Sequence, residues 1–196
     1  MERMLEFIQN IKNKINKLIF LLFYRSSFEK FGSKSTICMP FQINGARFIK
    51  IGEKVHVHTN SWLLALKNSS EKPEININDG VYIGRFAHIV STNNINIEKN
   101  VLISDKVYIS DNVHNYKDIH KAIKEQEILN INKVNIGKNS WLGENVCVIG
   151  ASVGKHCVIG ANSVVLSNIP DYSIAVGSPA KVIKKYCANE NTWKKI

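Results

Sequence analysis

The stretch Asn145–Ser167 reads NVCVIGASVGKHCVIGANSVVLS, and its aliphatic residues return at a nearly constant interval. Leu142 and Val148 stand six apart, as do Val153, Ile159 and Val165, and a glycine directly follows Leu142, Val153 and Ile159. The step from Val148 to Val153 is one residue short of six, which predicts a tightened corner at Gly150-Ala151-Ser152. Upstream, the same interval joins Ile77, Ile83 and Ile89, then Ile97, Ile103 and Ile109. Ile51 with Val57, and Ile136 with Leu142, extend it in both directions. Such an interval fits neither the helical turn of about 3.6 residues nor strand alternation of about 2 applied to the whole segment.

The pattern describes short strands joined by turns. One turn of chain cannot bury its aliphatic residue alone. Stacked turns place those residues in one internal column, where each burial contributes about 1.5–3 kcal/mol. Small and polar residues between them turn the corners, because glycine and asparagine tolerate positive φ. The predicted fold is mainly β, a parallel β-helix of hexapeptide coils. A β-sandwich is the alternative, and it would show turn signals about every 8–12 residues instead of a fixed short interval.

Coils are expected over 49–186, after a lead-in at 1–48 and before a tail at 187–196. Met4, Ile8, Ile11, Ile15, Leu18 and Leu22 recur at three and four residues, so 3–24 read as an amphipathic helix with Lys12, Lys14 and Lys17 between them. Its dense apolar run, Leu18–Tyr24, falls far short of the roughly 20 residues that cross a bilayer. Two roles remain for it: packing on the β-helix or a neighbouring copy, or lying on an anionic membrane surface. Residues 25–48 read as irregular, with Gly32, Pro40 and Gly45 as breakers. Leu63–Pro73 drops the interval and reads as a loop or coil insertion. A second break, Asp111–Lys133 (DNVHNYKDIHKAIKEQEILNINK), also lacks it, and a long interruption of a regular scaffold is usually functional or disordered. The tail from Cys187 shows no pattern and reads as a short helix or a frayed end.

The formal charge is +10, from 26 Lys plus Arg against 16 Asp plus Glu, which suits anionic partners. Nucleic acid is the least supported of these, since no aromatic-and-basic RNA-binding motif or zinc-finger spacing accompanies the charge. Cys38, Cys147, Cys157 and Cys187 show no CxxC pair and read as reduced structural thiols. The lysines interrupt the N-terminal apolar pattern and no small-residue cleavage site follows, so a cytoplasmic protein is expected, free or at the inner face of the membrane.

The coils, together with the ending Gly177-x-Pro179-Ala180-Lys181-x-Ile183-Lys184, resemble the bacterial hexapeptide-repeat acyltransferases. The resemblance is closest to sugar O-acetyltransferases of the galactoside and maltose type and their surface-polysaccharide relatives. It covers about Ile49 to Tyr186. It implies a left-handed parallel β-helix, a homotrimer with active sites between subunits, acetyl-CoA as co-substrate and no metal. Aligned without gaps from Asn100-Val101-Leu102-Ile103, the family's catalytic histidine falls on His114, inside the second break. The chemistry agrees: a sugar hydroxyl is a poor nucleophile, and a base with a pKa near 6.5 accepts its proton at neutral pH. Asp111, Asp118 or a backbone carbonyl are the candidates to orient that ring. Arg85, His88, Asn112 and Tyr116 complete the expected acceptor site. Arg85 follows Gly84, which stands where galactoside enzymes keep an asparagine, and its planar fork suits a carboxylate or phosphate on the acceptor. For the coenzyme the resemblance implies Trp141, Gly143, Ala161, Ser163 and Pro179, and Lys181, Lys184 and Lys185 are placed to neutralise its phosphates. His156 matches a corner, and His120 lies beyond the matched part of the loop.

The expected activity is acetyl transfer to a sugar hydroxyl of a capsule, a lipopolysaccharide O-antigen or a precursor of either. N-acetylation of an amino-sugar nucleotide is the rival within the class, although such enzymes often carry an extra nucleotide-binding domain for which this chain leaves no room. Outside it stand a non-catalytic scaffold and a metal hydratase like the γ-class carbonic anhydrases, for which His88, His114 and His120 are the candidate ligands.

Overall fold

The structure is a computed structural model that describes residues 2–40, 42–68 and 72–196. The chain winds into a three-faced parallel β-helix. The first face stacks Lys30–Phe31, Ile49–Ile51, Glu74–Ile77, Asn94–Ile97 and Val134–Ile136. The second stacks Thr36–Ile37, His56–Val57, Tyr82–Ile83, Leu102–Ile103, Trp141–Leu142, Val158–Ile159 and Ser173–Gly177. The third stacks Gln42–Asn44, Trp62–Ala65, His88–Ser91, Tyr108–Ser110, Cys147–Ile149 and Val164–Val165. Three faces close a coil, which takes 20 residues from Ile83 to Ile103 (103 − 83) and 17 from Leu142 to Ile159 (159 − 142).

In-register pairing makes the columns. Ile83, Ile103, Leu142 and Ile159 align on the second face, and Leu63, Ile89, Ile109, Val148 and Val165 on the third. All are fully buried, and Ile75, Ile95 and Val134 do the same for the first face. Corners repeat as well. One edge carries left-handed φ at Lys54, Gly80, Asn100, Asn139 and His156, another at Asn60, Phe86, Lys106, Asn145 and Asn162. A non-glycine residue in that region costs about 1–2 kcal/mol. Ladder bonds such as Lys106 N–H to Arg85 O, at 2.7 Å, hold these corners in place. The shortened step after Val148 turns at Gly150, with φ 57°, where an added Cβ would lie 2.8 Å from the Ile131 side chain.

Three segments differ from expectation. The lead-in 25–48 contains a complete coil, paired in parallel with Lys50–Ile51, His56–Val57 and Trp62–Leu64. Phe31, Ile37 and Ile43 keep the six-residue interval, and Gly32, Pro40 and Gly45 sit between its strands without ending it. The tail is neither helical nor frayed: Thr192–Lys195 pairs antiparallel with Ala180–Cys187, which pairs antiparallel with Ser173–Gly177. Trp193 packs edge-on against Tyr186, with ring centroids 5.5 Å apart, and this contact holds the last strand. The expected insertion at 63–73 begins as a third-face strand, Trp62–Ala65, and its residues 69–71 lie outside the described residues.

The N-terminal helix, Glu2–Phe23, meets the β-helix through its last turn, where Phe20 packs with its ring centroid 6.0 Å from both Phe28 and Phe31 and closes the end of the core. The side chain of Lys17 lies outside the described residues. No helix among the described residues is long and apolar enough to cross a membrane.

After Ser110 the chain leaves the third face, and Asp111 fixes the exit. Its carboxylate is fully buried and accepts bonds from Ser91 Oγ (2.7 Å), Thr92 N (2.8 Å), Asn93 N (3.0 Å) and Asn112 Nδ2 (2.9 Å). The interruption is not structureless. Asn112–His114 pairs antiparallel with Ile128–Asn130, and the buried Gln126 closes the tip through Nε2 to the carbonyls of Asp118 (2.8 Å) and Lys121 (2.9 Å).

Two substitutions probe this architecture. Ile103→Ala, at a fully buried column position, is expected to cost about 2–5 kcal/mol in denaturant unfolding, and a loss below about 1 kcal/mol would contradict a close-packed column. Asp111→Ala strands buried donors and is expected to cost about 3 kcal/mol and to open 112–130 to protease. Unchanged protease resistance there would show that the ribbon does not depend on Asp111.

Candidate active site

The ribbon sets His114 at the mouth of a third-face cavity of about 360 Å³, with Trp62, His88, Tyr108, Asn112 and Ile128 around it. Ladder register explains the composition. Trp62, His88 and Tyr108 each precede a column residue, so all three point outward in one line across adjacent coils. Trp62 stacks on His88 at 4.3 Å and 6°, and Tyr108 lies 5.3 Å from the other side of the ring. Burial lowers the His88 pKa, so that imidazole is neutral at pH 7 and its Nε2 is buried without a hydrogen-bond partner among the described residues. His114 itself is exposed.

Neither acid considered for orienting His114 is turned toward it. Asp111 is committed to Ser91–Asn93, and Asp118 accepts the His120 amide at 2.9 Å. Asn112 lines the cavity but is largely buried, with Nδ2 donating to Val90 O (3.3 Å) and Asp111. Tyr116 stands further out on the ribbon, strongly exposed and away from the cavity lining. Arg85 is exposed at the edge between the second and third faces, its backbone N–H held by Asp105 Oδ1 at 2.7 Å, and it lines neither cavity described here. Of the expected acceptor residues, the structure thus gathers His88, Asn112 and His114.

A second groove, about 510 Å³, runs along the second face and brings together Trp141, Gly143 and Ala161 with Tyr82, Ser104 and Ile159. Trp141 Nε1 donates to Ser104 Oγ at 3.0 Å, which fixes the indole against the groove. At Gly143 an added Cβ would fall 2.7 Å from Ala161 N and 2.9 Å from Ile159 O, so only glycine lets these backbones approach and stay open to a ligand. Ser163 is not part of the lining: it is fully buried and its Oγ accepts the Gly177 amide at 3.0 Å. Pro179 occupies the turn between Ser173–Gly177 and Ala180–Cys187, after a cis Ser178–Pro179 bond. Lys181 is exposed beyond that turn, and Lys184 and Lys185 face Lys195 and Lys194 across the final strand pair. Like charges directly opposed repel, so this hairpin edge favours an anion.

Trp62, Tyr108 and Gln126 were not legible as site residues from sequence. Their signal is positional for the first two, an aromatic immediately before a column aliphatic, whereas Gln126 carries none. Among the described residues no three His, Cys, Asp or Glu side chains are grouped so as to hold a metal ion, and His120 lies on the outer loop away from the cavity holding His88 and His114.

Residues 133–167 match the family model described as the hexapeptide repeat of succinyl-transferase. A probable acetyltransferase of Mycobacterium tuberculosis is 39% identical over 137 residues, covering 69% of this chain and 44% of its own length. WbbJ of Escherichia coli, named for lipopolysaccharide-biosynthesis O-acetyl transfer, is 37% identical over 124 residues, covering 60% of this chain and 63% of its own length. The chain therefore spans less than two thirds of either relative. Among solved structures, AntD of Bacillus cereus, an N-acyltransferase in complex with dTDP and 3-hydroxybutyryl-CoA, superposes with a TM-score of 0.71 at 17% identity, covering 85% of this chain and 87% of that one. That likeness is one of fold. Over residues 133–167 the chain matches a hexapeptide-repeat model, and the same interval and three-faced coils run through the rest of the β-helix.

Proposed function

We propose that the protein is an acetyl-CoA-dependent O-acetyltransferase acting on a sugar hydroxyl of a cell-surface polysaccharide, as a capsule or lipopolysaccharide O-antigen, or of its precursor. The observation that carries this reading is His114, exposed on an anchored ribbon at the mouth of an aromatic-walled cavity. The names of the Mycobacterium and Escherichia relatives support acetyl transfer, and the second supports a surface-glycan acceptor.

In this reading a neutral nitrogen of His114 takes the hydroxyl proton as the sugar oxygen attacks the thioester carbonyl. Backbone amides hold the resulting oxyanion. Its collapse breaks the carbon–sulfur bond, and the imidazolium returns the proton to the departing thiolate. Trp62 and Tyr108 supply apolar surface to a sugar ring, and His88 and Asn112 border it. The coenzyme lies along Trp141, Gly143 and Ala161, with Lys181 and Lys184 beyond the Pro179 turn neutralising its phosphates.

The groove and the His114 cavity occupy different faces of one chain and share no lining residue. This separation supports a homotrimer in which the cavity of one subunit meets the groove of the next. The family resemblance extends the proposal to a left-handed prism in the cytoplasm.

Thiol release from acetyl-CoA against a panel of sugars, amino sugars, nucleotide sugars and acidic glycans tests the reaction. His114→Ala should lower the acceptor-dependent rate about 10²–10⁴-fold with an unchanged melting temperature. Release only with amino acceptors would move the assignment to N-acetylation, and no release with any acceptor would sink the transferase reading. Mixing His114→Ala with Ala161→Trp chains in equal amounts tests the shared site: about a quarter of sites should regain both intact halves, and no recovery would place both halves on one subunit.

A further inference from the structure

We propose that the outward face of the N-terminal helix Glu2–Phe23 lies in an anionic membrane surface and docks the protein there. Among the described residues the helix packs its apolar side chains on the coils near its end, through Phe20 and Leu21. Its other described apolar side chains are open: Phe7 is 64% exposed, Leu18 59%, Leu22 67% and Phe23 70%, with Met4, Ile8, Ile11, Ile15 and Ile19 likewise. An apolar stripe of this length on a soluble surface marks an interaction site.

Charge decides between two occupants. Met4, Ile8, Ile11, Ile15, Leu18 and Leu22 follow heptad spacing, so the helix of a second copy is the competing one. At about 100° per residue, Lys12 and Lys14 fall on opposite edges of this stripe, and both are exposed. The residues flanking a heptad seam here are Leu5, Phe7, Lys12, Lys14, Ile19 and Leu21, without one carboxylate to pair the lysines. A coiled coil would leave those cations unmatched, and Phe23 lies outside its seam. Anionic headgroups supply the missing charge, while the acyl boundary covers the whole stripe and the lysine stems extend to the phosphates. The helix rests on the surface, since it is too short in apolar residues to cross.

The test is flotation of the full chain with vesicles of phosphatidylcholine, with and without phosphatidylglycerol. Binding is expected with phosphatidylglycerol and not with phosphatidylcholine alone. It should be abolished by Leu18→Asp and weakened about 5-fold by each of Lys12→Gln and Lys14→Gln. All three side chains are exposed, so the melting temperature should not move. No flotation at any phosphatidylglycerol content would overturn the proposal, as would binding indifferent to Leu18→Asp. So would sedimentation showing that Leu18→Asp dissociates an oligomer of a chain that does not bind vesicles. None of these readouts involves acetyl transfer, so they stand apart from the assay of His114.

Discussion

Three columns of valine, isoleucine and leucine, stacked coil on coil, are the interaction on which the molecule depends. Each coil of a β-helix contacts only its neighbours, so stability accumulates through nearest-neighbour burial. The pleat turns alternate side chains inward, as with Ile95 and Ile97 on the first face. Ile83, Ile103 and Leu142, or Ile89, Ile109 and Val148, occupy such inward positions in register, and any slip would turn an aliphatic residue to solvent and a polar one inward. This restriction explains why corners tolerate Lys54, Phe86 or His156 at left-handed φ: the columns fix the turn length, and the corner residue adapts.

A scaffold with so rigid an interior can vary only where the chain leaves it. The departure at Asp111 is built on the scaffold's own repeat. Its carboxylate reaches Ser91, Thr92 and Asn93, residues brought beside it by one turn of the helix, so a buried charge is satisfied by the preceding corner. The ribbon then places His114 relative to a fixed face. The groove on the second face follows the opposite strategy. It relies on an absence of side chain at Gly143 and on the stacking of successive backbones, with Trp141 pinned by Ser104 as its wall.

The coils were legible in the sequence because a column is periodic by construction. The first coil was not, although Phe31, Ile37 and Ile43 keep the interval: three positions with an aromatic at their head and Gly32, Pro40 and Gly45 between them resemble a broken segment when read alone. The final strand depends on Trp193 meeting Tyr186, a contact without local signature. Within the candidate site, the expectation of His114 rested on its place in a break together with the family resemblance, and that of Trp141, Gly143 and Ala161 on the resemblance alone. Ser163, expected from the same resemblance, turns its side chain inward, where its hydroxyl accepts the Gly177 amide. The aromatic line of Trp62, His88 and Tyr108 becomes visible only when coil length is known, since those residues are 26 and 20 positions apart.

Unequal coil lengths have a consequence for where recognition can reside. The interval from His88 to Tyr108 matches one plain coil, but the coil before it is lengthened by the segment after Ala65. Asn68, in that extension, donates through Nδ2 to Ile128 O at 2.7 Å, and Thr92 Oγ1 donates to Asn130 Oδ1 at 2.5 Å. The returning strand of the ribbon is therefore braced from two coils, one of them carrying an insertion. The two breaks in the repeat are coupled in space: the first supports the second, and together they build relief on one face of an otherwise flat prism. Periodic stacking sets the position of the face, and the two departures from periodicity set its shape.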